Sequence, residues 1–204
     1  MPRRVFALLV VLGCALALGL SAQGIAKPAE PSAPDFRMKG PAQARAVIVE
    51  YSDFQCPACR VAEPAIEQIL ALYGADTRFV FKHFPLEGMH HYARAAAIAA
   101  ECAGKQGKFW EYHDALYKRQ QEWSNETAEE HLQKYAKELK LDSAAWGACR
   151  ADPASARAID ADKTEGEQRW VGSTPTFFVN GRRFVGAKQL AERGSRAVEK
   201  AVKR

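Results

Sequence analysis

The sequence predicts one α/β domain in which a βαβ unit and a later ββα unit are separated by a helical block. Residues 46–54 (AVIVEYSDF) and 78–85 (RFVFKHFP) are rich in β-branched and aromatic side chains, which is typical of buried strands. The segment between them has apolar residues at helical spacing and ends at Gly74. From about residue 88 to 170 the patterns are helical, and β character returns in TPTFFVNGRRFVG.

Local sequence patterns support individual elements of this order. The two strands of the βαβ unit should lie parallel, because a helix connects them. Within the helical block, Asp142 is a candidate N-cap for a short helix. Asn180 and Gly181 predict the two-residue turn of a β-hairpin, and a last helix from about Ala187 to Val202 closes the chain.

The N-terminus has the composition of an export signal. A basic start, MPRR, precedes an uninterrupted apolar run and then small residues, which predicts a signal peptide over residues 1–26. An uncleaved membrane anchor is one alternative, although the run is short of the roughly 20 residues that span a bilayer. Lipoprotein processing at Cys14 is another. These features predict a periplasmic or otherwise extracytoplasmic protein.

The rest of the chain divides into two parts. Residues 27–40, rich in proline and alanine at their start, predict an extended leader, and residues 41–204 form the domain. Apolar residues make up 48% of the chain and charged residues 26%, which is ordinary for a protein with a buried core. The net charge of +5 is spread along the chain, so we predict no nucleic-acid partner.

Export changes how the five cysteines are interpreted, because disulfides persist outside the cytosol. If Cys14 is removed with the signal, four cysteines remain, and four can pair in three ways. The local pairing joins Cys56 to Cys59, and it leaves Cys102 to pair with Cys149.

The sequence Cys56-Pro57-Ala58-Cys59 begins the helix of the βαβ unit. Unpaired N–H groups and the helix dipole at such a position stabilise a thiolate, so the pKa of Cys56 should be low. Pro57 fits the first helical position, where it loses no hydrogen bond. We expect Cys56 to be exposed and nucleophilic, and Cys59 to be the more buried thiol that attacks a mixed disulfide.

Two other interpretations of the pair are less favourable. A static disulfide across two intervening residues would stabilise the fold very little, because the closed loop is tiny. A zinc site would need two further ligands, and no histidines occur at the spacing of a zinc motif. We therefore predict a redox pair, with no metal and no cofactor.

A distant Thr-Pro before the penultimate strand, in STPTFFVNG, makes the chain resemble the thioredoxin superfamily. The motifs FKHFPL, AAECAGKQGKFWEYHDALY and STPTFFVNGRRFVGA make it similar to the DsbA family over residues 37–204. The resemblance implies a thioredoxin-like fold with an all-helical insertion. It also implies thiol–disulfide exchange on exported proteins, usually as an oxidant.

The same resemblance assigns roles to residues. Cys56 becomes the nucleophile, Cys59 the resolving thiol, and Pro175 a cis-proline. The backbone of Thr174 would pair with a bound client chain. Pro57 and Ala58 would tune the redox potential, and alanine in place of the histidine of many family oxidants predicts a less oxidising pair.

Glu50 also falls on a family position, six residues before the first cysteine. On a buried strand it would transfer protons to and from Cys59. Lys82 lies on the neighbouring predicted strand, so we expect Glu50 and Lys82 to pair. The alternative is an exposed ion pair at a strand end, which would contribute little.

Cys102 and Cys149 lie in two different predicted helices of the insertion. A disulfide between them would stabilise the fold by roughly 3–4 kcal/mol, since it closes a long loop. The alternative is two buried free thiols that act as small apolar residues.

We therefore predict an exported thiol:disulfide oxidoreductase, acting above all as a dithiol oxidase on reduced or misoxidised proteins. A membrane redox partner would reoxidise it. A monomer is expected, because about twenty residues before the first strand are too few for a dimerisation domain. The alternatives are a reductase or isomerase of extracytoplasmic disulfides, and a metal-binding or chaperone module on the same fold.

Overall fold

A computed structural model describes residues 32–204 of the chain. The predicted signal peptide, its cleavage point and Cys14 lie outside these residues. No helix within residues 32–204 is long and apolar enough to cross a membrane.

Five strands form one mixed sheet. They are β1 (Met38–Lys39), β2 (Ala46–Ser52), β3 (Thr77–His83), β4 (Thr176–Val179) and β5 (Arg182–Val185). Their order across the sheet is β1-β3-β2-β4-β5. β2 and β3 are parallel, as a βαβ unit requires, and the other three pairings are antiparallel.

The helices follow the predicted order. They are α1 (Pro57–Tyr73), α2 (Ala93–Gly104), α3 (Phe109–Lys118), α4 (Gln120–Trp123), α5 (Ala128–Glu138), α6 (Ser143–Ala151), α7 (Pro153–Gln168), α8 (Gly186–Gln189) and α9 (Ser195–Val202). Helix α1 connects β2 to β3, and α2 to α7 form the insertion. A π-helical turn at Leu190–Gly194 joins α8 to α9, so the last predicted helix is continuous.

Both faces of the sheet are covered, which explains why six of the seven residues in each of β2 and β3 are buried. One face, with Ile48 and Phe79, packs against α1 and α9. The other face packs against α7, where Gly166 is required. A Cβ atom at Gly166 would lie 2.7 Å from the ring of Phe84.

Two local predictions are confirmed. Asp142 caps α6, where its side chain accepts a hydrogen bond from the backbone N–H of Ala145. Asn180 and Gly181 form the hairpin turn with φ values of 46° and 83°, in the left-handed region that such turns require.

The prediction of an extended leader up to residue 40 is wrong for residues 35–39. Residues 35–37 form a 3₁₀ turn, and β1 pairs with the edge of β3. Arg37 is 2% exposed and forms ion pairs with Glu101 and Asp162 in the insertion. The leader joins the fold because it supplies both an edge strand and a cation for buried carboxylates.

Candidate active site

Cys56 and Cys59 lie where β2 passes into α1. Cys56 is the N-cap residue of α1, and Pro57 occupies the first turn. The backbone N–H of Cys56 donates a hydrogen bond to the Asp53 carbonyl at 3.0 Å. The Asp53 carboxylate lies 2.7 Å from Nδ1 of His90, which fixes the turn against the loop that follows β3.

The pKa of the Cys56 thiol is lowered to about 5. The largest cause is a hydrogen bond from the Cys59 thiol. Burial acts in the opposite direction, while Thr174 and the backbone N–H groups of Cys59 and Ala58 lower the pKa further. The sequence predicted a low pKa from the helix N-terminus alone, whereas the neighbouring thiol has the larger effect.

The prediction of an exposed Cys56 is wrong in degree. Cys56 is only 7% exposed, and Cys59 is fully buried. The order of burial along the helix is nevertheless the one expected for an attacking thiol followed by a resolving thiol. Pro57 and Ala58, between the two cysteines, are exposed. A partner molecule would therefore contact this dipeptide as it reaches the small open part of Cys56.

The loop before β4 lies directly against the first cysteine. The Thr174–Pro175 peptide bond is cis. Cys56 Sγ lies 3.5 Å from the Thr174 carbonyl oxygen, and in its thiol form donates a hydrogen bond to it. β4 is antiparallel to β2, with Thr176 paired to Tyr51, so the sheet itself holds this loop at the start of α1.

A buried carboxyl group lies beneath the pair. Glu50 is fully buried, and burial raises its pKa to about 8. Ser52 Oγ donates a hydrogen bond to Glu50 Oε1 at 2.7 Å and lies 2.8 Å from the Tyr117 hydroxyl. Burial, the hydrogen bond to Cys56 and the charge of Glu50 together hold the pKa of Cys59 well above its ordinary value. Glu50 and Cys59 can therefore both hold a proton at neutral pH.

The predicted pair between Glu50 and Lys82 is wrong. In the parallel ladder Glu50 lies opposite Phe81, and Lys82 lies opposite Tyr51. Successive side chains on a strand point to opposite faces of the sheet, so Glu50 and Lys82 project to different sides. Only Glu50 is on the side of Cys59.

Lys82 has a different set of partners. Its Nζ atom is 3.0 Å from Asp162 Oδ1 and 2.7 Å from Glu165 Oε2, both on α7. Lys82 is 1% exposed, so these carboxylates compensate a buried charge. This contact holds α7 on β3 and removes Lys82 from the candidate catalytic residues.

The insertion contributes a residue to the site that the sequence analysis missed. Nε2 of Gln120, at the start of α4, donates hydrogen bonds to the backbone oxygens of Phe54 at 2.7 Å and Cys56 at 3.0 Å. Gln120 is 4% exposed, and the contact ties the insertion to the turn that bears the nucleophile. No local pattern could indicate it, because 64 residues separate Gln120 from Cys56.

The other two cysteines lie within the insertion. The Sγ atoms of Cys102 on α2 and Cys149 on α6 lie within disulfide-bonding distance of each other. Cys102 is fully buried. The Oγ atom of Ser155, at the start of α7, lies 3.2 Å from Cys149 Sγ. This link therefore joins helices of the insertion and takes no part in the Cys56 site.

A metal ion held by Cys56 and Cys59 would need further ligands beside them. Within residues 32–204, no three His, Cys, Asp or Glu side chains come together in an arrangement that could hold a metal ion. The immediate surroundings of Cys56 instead supply hydrogen-bond donors to sulfur, which is what a reactive thiolate requires.

Comparison with known proteins agrees with this geometry. The profile of the family described as Thioredoxin matches residues 32–200. The chain belongs to the thioredoxin family. The match covers β1 to α9 almost completely, including the insertion and both active-site segments.

Solved structures show the same fold. α-DsbA1 of Wolbachia pipientis, in a form with two cysteines replaced by alanine, superposes with a TM-score of 0.71 at 20% identity, covering 84% of this chain and 92% of that one. Oxidised BdbD of Bacillus subtilis superposes with a TM-score of 0.68 at 24% identity, covering 82% of this chain and 93% of that one. DsbA2 of Pseudomonas aeruginosa superposes with a TM-score of 0.64 at 24% identity, covering 85% of this chain and 98% of that one. The predicted DsbA-like thioredoxin fold with a helical insertion is confirmed.

Curated relatives match a segment of longer proteins. Na(+)/H(+) antiporter NhaA 3 of Salinispora tropica is 42% identical over 170 residues, which is 83% of this chain and 25% of that protein. Na(+)/H(+) antiporter NhaA of Herminiimonas arsenicoxydans is 36% identical over 150 residues, 74% of this chain and 23% of that protein. The chain spans about a quarter of the length of these relatives.

Proposed function

We propose that the chain is an extracytoplasmic thiol:disulfide oxidoreductase that passes the Cys56–Cys59 disulfide to client proteins, acting mainly as a dithiol oxidase. The single observation that carries the proposal is the geometry of the pair: Cys56 is the N-cap residue of α1, buried Cys59 follows it by three residues, and the Thr174 carbonyl oxygen lies 3.5 Å from Cys56 Sγ. In this position the pKa of the Cys56 thiol is lowered to about 5. Such a thiol is ionised at neutral pH and is a good leaving group in disulfide exchange.

The first step opens the disulfide of the oxidised protein. A client thiolate attacks Cys56 Sγ, so a bond forms between the client sulfur and Cys56 while the Cys56–Cys59 bond breaks. Cys59 leaves with the electron pair of that bond. Because the pKa of Glu50 is about 8, its carboxyl group is protonated at neutral pH and can supply a proton to Cys59.

The second step releases the client. A second client thiolate attacks the client sulfur of the mixed disulfide, and Cys56 leaves as a stable thiolate. The client has lost two electrons and gained a disulfide, and the protein has gained the two electrons as a dithiol. Of the two protons that the client thiols release, one is balanced by the proton on Cys59, and the other goes to solvent.

The pKa of Cys56 also favours the oxidising direction. The corresponding pKa is about 7 in thioredoxin and about 3.5 in DsbA, and a more stable thiolate makes the disulfide a stronger oxidant. The value of about 5 for Cys56 lies between them. Ala58 adds no positive charge to the pair, which is consistent with an intermediate strength. We expect a reduction potential between about −270 and −120 mV.

Clients would bind across the loop that bears the cis bond. The Thr174 backbone is placed beside Cys56 Sγ, where an extended client segment can pair with it. Exposed Pro57 and Ala58 would form the other wall of this contact. Under this proposal the protein works as a monomer in the periplasm or another extracytoplasmic space, and a membrane redox partner restores the disulfide. The antiporter activity named for the curated relatives is not transferred, because the match covers a quarter of those proteins.

Oxidative refolding of a reduced, disulfide-containing protein tests the proposal. We expect the oxidised wild-type chain to accelerate refolding and Cys56→Ser to be inactive. The Cys102→Ala/Cys149→Ala double variant is the matched control, and it should keep its activity because those residues lie outside the site. A redox titration of Cys56–Cys59 near the thioredoxin value would instead assign a reductase. Refolding no faster than with Cys56→Ser would refute exchange activity.

A further inference from the structure

Charge is distributed unevenly over the fold. Residues 182–204 contain eight lysines and arginines and two glutamates, a net charge of +6. Residues 32–181 contain 18 lysines and arginines and 21 aspartates and glutamates, a net charge of −3. The sequence analysis treated the charge as evenly spread, which is wrong for the folded domain. All eight basic side chains of residues 182–204 are exposed, and the proposed exchange chemistry uses none of them.

Four of these side chains form a basic face on the last helix. They are Arg196, Lys200, Lys203 and Arg204, and together with Glu199 they line one open hollow. The first three recur at intervals of three or four residues, which places them on one side of the helix. The opposite side is apolar, and its Val198 and Val202 are buried against α1 and the sheet. The fold therefore fixes α9 with its basic face toward solvent.

The basic face is largely uncompensated by the rest of the described domain. Among residues 32–204, Glu199 is the one ion-pair partner of this face, and it pairs with Lys203 at 2.5 Å. Several like charges on one surface create a positive potential that attracts an anionic partner. The charge complementarity of this face is thus to a surface with many negative groups.

An exposed apolar side chain borders the basic face. Leu72, near the end of α1, is 65% exposed. It lines the neighbouring hollow with Ser195 and Glu199, and Glu199 belongs to both hollows. An anionic bilayer fits this combination, because its phosphates pair with the cations while the leucine leaves water among the acyl chains. A nucleic acid would satisfy the charges but offers no aliphatic environment to the leucine.

We propose that the basic face and Leu72 bind the surface of an anionic phospholipid membrane. The inference goes beyond the proposed exchange reaction and does not depend on it. Leu72 follows Cys56 by 16 residues, so it lies about 24 Å further along α1. Docking at Leu72 leaves Cys56 and the Thr174 loop uncovered. The protein can therefore meet clients and a membrane redox partner while it lies on the bilayer.

Lysine acetylation of the unaltered full chain, quantified by mass spectrometry, tests the contact at single residues. The reaction is run with vesicles of pure phosphatidylcholine and with vesicles that also contain phosphatidylglycerol. We expect phosphatidylglycerol to slow acetylation of Lys200 about fivefold, as when about 80% of the protein is bound, and to leave Lys134 on α5 unaffected. The apolar run near the N-terminus meets both kinds of vesicle, so the comparison isolates the effect of lipid charge. Equal rates at Lys200 with both vesicles would overturn the proposal.

A charge variant measures the strength of the contact. Arg196→Gln/Lys200→Gln/Arg204→Gln removes three charges from exposed positions and keeps long polar side chains there. Each cation near an anionic membrane contributes about fivefold to affinity. The gain in vesicle affinity that phosphatidylglycerol gives should therefore fall about 100-fold. Binding of the wild type should also weaken from 0.1 M to 1 M salt, because the screening length falls from about 10 Å to about 3 Å.

The matched control removes the same charge from other exposed positions. It is Lys134→Gln/Lys137→Gln/Arg157→Gln, on α5 and α7, and it should bind vesicles like the wild type. Equal losses in the two triple variants would reduce the effect to net charge and overturn the basic face. Leu72→Ser should weaken binding about tenfold without changing its salt dependence, since it removes an apolar contribution. An unchanged affinity would overturn the part assigned to Leu72.

Competing anions and a separate exchange assay identify what has failed if the results differ. A DNA duplex and polyglutamate carry negative charge without acyl chains, so we expect both to bind more weakly than vesicles at equal charge concentration. Tighter binding of either one would overturn the lipid surface as the partner. Exchange with a peptide dithiol, measured without vesicles, reports on the proposed function alone. A chain that exchanges but ignores phosphatidylglycerol overturns the docking, whereas one that docks but does not exchange overturns the proposed function.

Discussion

The hydrogen bond from Cys59 to Cys56 leads to a sharp prediction for the variant Cys59→Ala. This change removes the donor that contributes most to the lowered pKa of Cys56, while Pro57 and the N–H groups of α1 remain. The pKa of Cys56 should therefore rise. If the helix N-terminus were the main cause instead, the pKa would hardly change.

The size of the effect follows from the strength of a charged hydrogen bond. Such bonds contribute about 1.5–3 kcal/mol, and one pH unit corresponds to about 1.4 kcal/mol, so the ionisation midpoint should move up by about 1 to 2 pH units. With a pKa of about 5, roughly 90% of Cys56 is ionised at pH 6 in the wild type. In Cys59→Ala this fraction should fall to between about 10% and 50%.

The assay is the rate of iodoacetamide labelling of Cys56 as a function of pH, in reduced wild type and in the variant. Cys59→Ser keeps a hydroxyl donor at the same position, so its midpoint should lie between those of wild type and Cys59→Ala. A midpoint in Cys59→Ala equal to that of wild type would refute the reasoning. A wild-type midpoint near that of an ordinary thiol would refute the site itself.

Three other predictions concern stability. The pKa of Glu50 is 4.5 in the unfolded chain and about 8 in the folded protein. The protonated carboxyl group therefore contributes its full stabilisation of the fold below pH 4.5, and this contribution is lost as the pH rises through 8. In Glu50→Gln, the fall in the free energy of unfolding between pH 5 and 9 should be smaller than in wild type by about 4 kcal/mol, as urea unfolding can measure. Lys82→Met should lose about 1.5–3 kcal/mol, because it removes the charged hydrogen bonds from Lys82 to Asp162 and Glu165, and should not change the labelling midpoint of Cys56. The partly exposed pair of Lys163 with Glu87 provides the control, with a loss below about 1 kcal/mol for Lys163→Met, and equal losses would contradict the assignment. The Cys102→Ala/Cys149→Ala variant should lose about 4 kcal/mol in urea unfolding, and wild-type-like stability would contradict a structural link.

Features that depend on neighbouring residues were predictable from the sequence. The start of α1 at Pro57 follows from a proline beside an N-cap residue, and the turn at Asn180-Gly181 follows from residues that adopt positive φ. The position of the cysteine pair at the end of a strand required only the order of local patterns. The position of Ser52 in the site was also predictable, because Ser52 lies two residues after Glu50 and therefore on the same face of β2.

Features that depend on register or on distant contacts were not predictable. The prediction that Glu50 pairs with Lys82 failed because a shift of one residue in a parallel ladder moves a side chain to the opposite face. Tyr117 and Gln120 reach the site only because the insertion folds back on the turn before α1. Strand and helix patterns specify elements, but they do not specify which polar side chains meet across them.

The ends of the sheet have a consequence for a protein proposed to meet unfolded chains. Open edge strands recruit extended polypeptides and promote aggregation. Here β1 offers two residues, and β5 is four residues long with Arg182 and Arg183 exposed. Under the proposed function, these short and charged edge strands would discourage a client from adding a permanent strand to the sheet. Its main-chain pairing would then be limited to the Thr174 loop and would end when the mixed disulfide is released.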